Sequence, residues 1–241
     1  MSKIIYFSAL LLLSVCSFAE DRIGKLYEIG KTDKDPLFIQ KTHVEEPTPG
    51  HQIFSSSIVD SDGKLVMTEK AVVDPTGVIS QQIDQLQIEE SYELERKDDL
   101  IIFRTFSTKG GARTKTEEST EKVKDNFITG PMFQRFLMKH ATELSAGKSI
   151  DVAFGVFELG KSVGFTFSKK GLKTQDGASI LSIKMALSSF FLSMFVDSIY
   201  MDVDVKDFTL IHYKGRTPVR RKVDGKWKAF DSEIVYSSPT L

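Results

Sequence analysis

The chain has 241 residues, with 32 Lys and Arg against 33 Asp and Glu, and one cysteine, Cys16. That balance excludes a general nucleic-acid binder, whose affinity rests on clustered excess Lys and Arg, and argues against a polybasic membrane-surface protein. A lone cysteine leaves no internal disulfide and no thiolate metal set, so stability must come from a buried core.

Residues 1–19 read as a secretory signal peptide. Lys3 supplies the positive n-region, Ile4 to Val15 form an apolar run, and Ser17-Phe18-Ala19 places small residues before a cut after Ala19. The run is too short to span a bilayer as a helix. A second reading makes Cys16, after Leu13-Ser14-Val15, a lipid-anchored N-terminus; bulky Val15 disfavours it. The expectation is therefore a periplasmic protein whose residues 20–241 form a single β-rich domain, and no transmembrane segment is expected in the mature chain.

Period-two alternation dominates the mature chain. Leu65, Met67, Ala71 and Val73 share one parity, as do Leu86, Ile88, Tyr92 and Leu94, then Ile150, Val152, Phe154 and Val156, then Val163, Phe165 and Phe167. Alternation puts one set on a buried face and the other in water. Asp60-Ser61-Asp62-Gly63, Asp74-Pro75-Thr76-Gly77, Lys109-Gly110-Gly111, Lys169-Lys170-Gly171 and Asp224-Gly225 read as reversals between strands. Many short strands with tight turns predict a mainly β protein, a strongly curved antiparallel sheet or partly closed barrel.

One amphipathic helix of about 15 residues interrupts this series. Thr129 is placed to cap it, Pro131 suits its first turn, and Met132, Phe133, Phe136, Leu137, Ala141 and Leu144 recur at helical spacing before Gly147. Its apolar stripe must pack on the sheet. From Ile180 to Val196 the reading is a buried strand followed by a bend. The helix, and an end lacking a terminal aromatic strand, argue against an outer-membrane barrel.

Phe133-Gln134-Arg135-Phe136-Leu137, His140, Leu144 and Gly147 run into a hairpin ending Gly164-Phe165-Thr166-Phe167. The tail adds Tyr213-Lys214-Gly215, Asp224-Gly225-Lys226 and Ile234-Val235-Tyr236. Over the C-terminal half these features resemble a family of exported, β-rich envelope proteins of unknown function from Gram-negative bacteria. The resemblance implies a periplasmic address and a curved sheet with one helix, and implies no activity.

No catalytic residue, cofactor or metal set is expected. His43-Val44-Glu45-Glu46 precedes Pro47 and Pro49 and reads as a solvated loop, since a metal needs three or four convergent donors. Tyr200 to Asp207 alternates like a strand and lacks the glycine and glutamate of a calcium loop. His140 beside the helix stripe reads as a satisfied, partly buried histidine. Arg216-Thr217-Pro218-Val219-Arg220-Arg221-Lys222, with Trp227 across the turn, reads as a charged edge strand that is also the best polar site in the chain.

Two binding functions follow. In the first, the curved sheet and helix enclose an apolar or lipid-like small molecule against Phe133, Phe136, Phe190 and Phe191. In the second, the basic hairpin 214–228, through Arg216, Arg220 and Trp227, holds an envelope protein.

Overall fold

The computed structural model describes residues 18–175, 177–189 and 197–237. The first half of the chain is a meander. It runs through β1 (Phe18–Glu28), β2 (Phe38–Thr48), β3 (His51–Asp60), β4 (Leu65–Asp74), β5 (Gly77–Gln85), β6 (Glu90–Lys97), β7 (Leu100–Ser107) and β8 (Thr114–Lys122). The second half begins with β9 (Phe127–Ile128) and two short helices, α1 (Phe133–Lys139) and α2 (Ala141–Ser145). It continues through β10 (Ile150–Val156), β11 (Lys161–Gln175), β12 (Ala178–Leu187), β13 (Ile199–Asp204), β14 (Leu210–Val223) and β15 (Lys226–Ser237).

All fifteen described strands belong to one sheet, in the order β8-β7-β6-β5-β4-β3-β2-β1-β15-β14-β13-β12-β11-β10-β9. The β1–β15 ladder, from Ile23↔Ser237 to Glu28↔Ser232, joins the two meanders, and it begins beyond the cut expected after Ala19. The sheet is not closed by hydrogen bonds, but its two ends meet through side chains. Glu121 Oε1 accepts from the Ser162 N–H at 2.8 Å, and Lys124 Nζ donates to Ser162 Oγ at 2.8 Å. Phe157, between β10 and β11, lays its ring 6.1 Å from Phe103 and 6.4 Å from Tyr92. The fold is the expected strongly curved, partly closed sheet.

Turn chemistry behaves as read at three sites. Asp60 Oδ1 accepts from the Asp62 and Lys64 N–H groups, and Asp74 Oδ1 accepts from those of Thr76 and Gly77. Asp224 and Gly225 both take positive φ, 51° and 75°, the two-residue hairpin turn whose twist matches its strands.

Other segments differ from the sequence expectation. Leu86 to Leu94 is not one strand: β5 ends at Gln85, Glu89 turns the chain at φ 54°, and Leu86 is exposed. The parity survived because four residues intervene. Lys169-Lys170-Gly171 makes no reversal but a bulge inside β11. His43 lies in β2, not a loop, and Pro47 sits at the bulge between Glu45 and Thr48, where a strand tolerates a missing donor. Phe190 and Phe191 lie outside the described residues.

The expected single helix is two. The backbone leaves helical geometry at His140 (φ −105°, ψ 16°), separating α1 from α2. Thr129 sits at the cap position, buried, but its hydroxyl caps nothing. Gly147, at φ 83°, ends α2 as expected: its N–H bonds the Leu144 carbonyl while Lys148 N–H reaches back to Glu143. The apolar stripe packs on β10–β13 with Phe167, Ile183, Met185 and Val203, all buried. No helix among the described residues is long and apolar enough to cross a membrane.

The helices cover the end of the curl where the β2–β3, β4–β5 and β6–β7 turns gather. Arg135 Nη1 donates to the carbonyls of Gly50 and Asp74, both at 2.9 Å, and Gln134 Oε1 accepts from Arg22 Nη2 at 2.8 Å. The opposite end, the mouth, collects the β1–β2, β3–β4, β5–β6 and β14–β15 turns.

Candidate functional site

The mouth is roofed by the β14–β15 hairpin. β14 pairs with β13 only as far as Lys214, and β15 pairs with β1 only from Ser232 onward. Residues 216–231 therefore overshoot their neighbours as a two-stranded ribbon. The edge-strand reading is corrected here: β14 and β15 are interior strands, and the charges belong to the overshoot, whose two sides both lack a strand neighbour among the described residues.

Sequence explains why the ribbon folds over. The ladder breaks between Thr217 and Arg220, leaving Pro218 and Val219 as extra residues in β14, and a bulge bends and twists the strand that carries it. Pro218 has no N–H to lose there. Val219 is wholly buried in the cluster with Phe38, Phe230 and Ile234. Across the mouth, Gln85 Nε2 donates to the Pro218 carbonyl, and Gln87 clamps Arg220, donating to its carbonyl at 2.9 Å and accepting from its N–H at 2.7 Å. Arg221 pairs with Glu28, and Arg220 with Glu158 at 3.3 Å. Three buried side chains of the ribbon, Thr217, Val219 and Phe230, and a set of polar contacts hold the roof.

Beneath it lies a cleft of about 660 Å³. Glu90, Tyr92, Thr105, Ser107, Thr116 and Glu117 form its wall from β6, β7 and β8; Ile88, Glu89, Lys109 and Glu158 rim it; Arg220 and Trp227 hang from the ribbon. Burial and the Glu90 carboxylate, which accepts from its hydroxyl, raise the Tyr92 pKa and keep it a neutral donor. Arg220 Nε is buried with no partner among the described residues, an unspent cationic donor beside the cleft. The wall thus offers acidic acceptors, hydroxyls, one indole face and one guanidinium N–H.

The expected site residues divide accordingly. Arg220 and Trp227 come together at the cleft. Arg216 lies away from it and pairs with Asp231 at 2.5 Å. Phe133 packs at 5.5 Å from Phe154 and 5.7 Å from Phe167, and Phe136 at 5.6 Å from Phe167, so both serve the core. Phe136 also borders a smaller cleft of about 290 Å³ at the helix end. Glu90 and Glu117 were missed because both lie in charged, alternating stretches that look like a strand's wet face. His140 bonds Glu143 through Nδ1 at 2.7 Å, while its Nε2 has no partner.

Between the two ends the inner face carries a polar belt. Arg22, Thr42, Ser56 and Glu69 are successive cross-strand partners on β1 to β4. Gln81 Nε2 donates to Glu69 Oε1 at 2.5 Å, and burial pushes the Glu69 carboxyl up to about 7. Among the described residues no three His, Cys, Asp or Glu side chains gather as a metal site.

A curved β sheet with a roofed mouth is the class of protein these features define. No family model matches the chain, and no curated protein matches it. Two solved structures match the chain along most of its length. One is a β-barrel-like protein of the domain of unknown function DUF1849 from Brucella abortus, 7% identical, covering 92% of this chain and 95% of its own, with a TM-score of 0.43. The other is a DUF1329 family protein from Desulfovibrio piger, 8% identical, covering 91% of this chain and 82% of its own, with a TM-score of 0.25.

Proposed function

We propose that the mature chain, beginning at Glu20, is an exported, non-enzymatic binding protein that takes an amphipathic ligand into the mouth cleft. The signal-like residues 1–19 support the export. The observation that carries the binding reading is the unpartnered, buried Arg220 Nε beside Trp227 in a 660 Å³ cleft. A buried donor left unpaired costs about 1–3 kcal/mol, which an oxygen acceptor on a ligand recovers. The apolar part of the ligand lies against Trp227 and Ile88, and its hydroxyl groups meet Glu90, Thr105 and Glu117. This moves the apolar-ligand expectation from Phe133 and Phe136, which the core uses, to the mouth.

Native mass spectrometry, with lipid extraction, of mature protein from its own host's envelope tests the reading. A co-purifying amphiphile near one per chain, lost in Arg220→Met and shifting the emission of the single Trp, is expected. A protein that is empty, or that holds its ligand equally well with Arg220→Met, contradicts it.

A further inference from the structure

The two ends of the curl differ in what their turns expose. At the helix end the tight turns are Pro49-Gly50, Pro75-Thr76 and Asp98-Asp99. At the mouth, large apolar side chains stand 37–58% exposed on or beside five turns, β1–β2, β3–β4, β5–β6, β10–β11 and β14–β15: Ile29, Leu65, Leu86, Leu159, Val223 and Trp227. Exposed hydrophobes scattered singly are ordinary, as Met138 on α1 and Leu172 on β11 are, but a set on adjoining turns marks an interaction surface.

Three of these turns are tied to the ribbon. Arg221 pairs with Glu28, the residue before Ile29; Arg220 bonds Gln87, the residue after Leu86, and Glu158, the residue before Leu159. The ribbon tip thus gathers three other apolar turns around itself. Residues 216–228 also carry six basic side chains and one acidic one, a local excess hidden by the chain's near-neutral total. Arg216, Arg220 and Arg221 each form an ion pair, Arg220 through Nη2 alone. Lys222, Lys226 and Lys228 form no ion pair among the described residues, and Lys222 Nζ lies 5.7 Å over the Trp227 ring.

We propose that this rim docks on an anionic lipid surface. Val223, Trp227 and the neighbouring turn tips enter the headgroup layer, and the three free lysines meet lipid phosphates. Trp settles at a bilayer interface, and lysines beside it extend their stems along apolar surface to reach the charged layer. An acidic protein partner would fit the charge but not the apolar groups, which sit on separate turn tips rather than on one flat face. Each lysine contributes roughly fivefold to affinity for an anionic surface. The inference stands apart from the cleft reading, because vesicle binding needs no cleft ligand.

The test is flotation of the mature chain with vesicles of phosphatidylcholine alone, or of equal parts phosphatidylcholine and phosphatidylglycerol. Binding is expected only to the second, with a blue shift of Trp227 emission and weakening by salt. Reversing all three lysines (K222E, K226E and K228E together) should cost more than about a hundredfold in affinity, the loss expected from merely neutralising them. Lys148→Glu, at the helix end, should cost nothing, and circular dichroism should show both variants folded. Absence of binding to anionic vesicles, or binding that survives the triple reversal, overturns the proposal. Capture of an acidic envelope protein by the wild type but not the triple variant, without vesicle binding, also overturns it and reassigns the rim to a protein.

Discussion

The helix end and the mouth solve one problem, covering an end of a curled sheet, by opposite means. At the helix end, Phe133, Phe136, Leu137 and Leu144 join a large apolar cluster, and Arg135 and Gln134 pin the helices to three strand ends. At the mouth, Val219 and Phe230 are the ribbon's buried apolar side chains, and Gln85, Gln87, Glu28 and Glu158 hold the roof by polar contacts. Apolar burial stabilises by roughly 25 cal/mol per Å² with no geometry to break, whereas a net hydrogen bond contributes about 1 kcal/mol. The chain therefore has one end built to stay shut and one that opens at small cost.

The largest expected effect lies at the helix end. Phe167 is fully buried and touches both Phe133 and Phe136, so Phe167→Ala should cost about 3–5 kcal/mol in urea unfolding. A loss below 1 kcal/mol would mean the helices are not seated as described, and the contrast between the ends would fail.

Next comes Glu69, between the ends. Its folded pKa, about 7, stands above the ordinary 4.5. The folded state therefore holds a proton that the unfolded chain releases first, and stability is fully present below pH 4.5 and falls as pH rises toward 7. The loss should be on the order of 3 kcal/mol. Glu69→Gln should remove that slope and be more stable than the wild type at pH 8. An unchanged slope in denaturant titrations at pH 5 and pH 8 would show that Glu69 is hydrated from the mouth and not enclosed.

The smallest effect sharpens the account of the roof. Gln87→Ala removes both bonds to the Arg220 backbone and should cost about 1–2 kcal/mol, felt locally. Proteolysis within residues 216–228 should accelerate while the Tm stays nearly constant. A global fall in Tm without faster local cleavage would make the roof part of the main cooperative unit.

Much of the fold was legible because its signals are local. The alternation of Met67, Ala71 and Val73, the turns at Asp60, Asp74 and Asp224, and the cap at Gly147 each need only a few neighbouring residues. What escaped depends on distance. The Gln87–Arg220 clamp joins positions 133 apart through side chains that carry no periodic signal. Leu86 kept its parity across a turn, and Gly171 marked a bulge where glycine serves bulges and reversals alike. At the site, Arg220 and Trp227 stood out as unusual residues, whereas Glu90 and Glu117 had the composition of any solvated strand. The local positive charge of the ribbon was visible in the sequence; that it lies among apolar turn tips needed the sheet order.

Hydrogen exchange of the mature protein, followed by mass spectrometry with and without the amphiphile proposed for the cleft, tests the difference between the ends most directly. The account predicts that amides of residues 216–228 exchange through openings far below the global unfolding free energy, and that ligand slows them. Those of residues 133–145 should exchange only with global unfolding, unaffected by ligand. Equal protection of both segments, or a ligand effect confined to the helices, would contradict it.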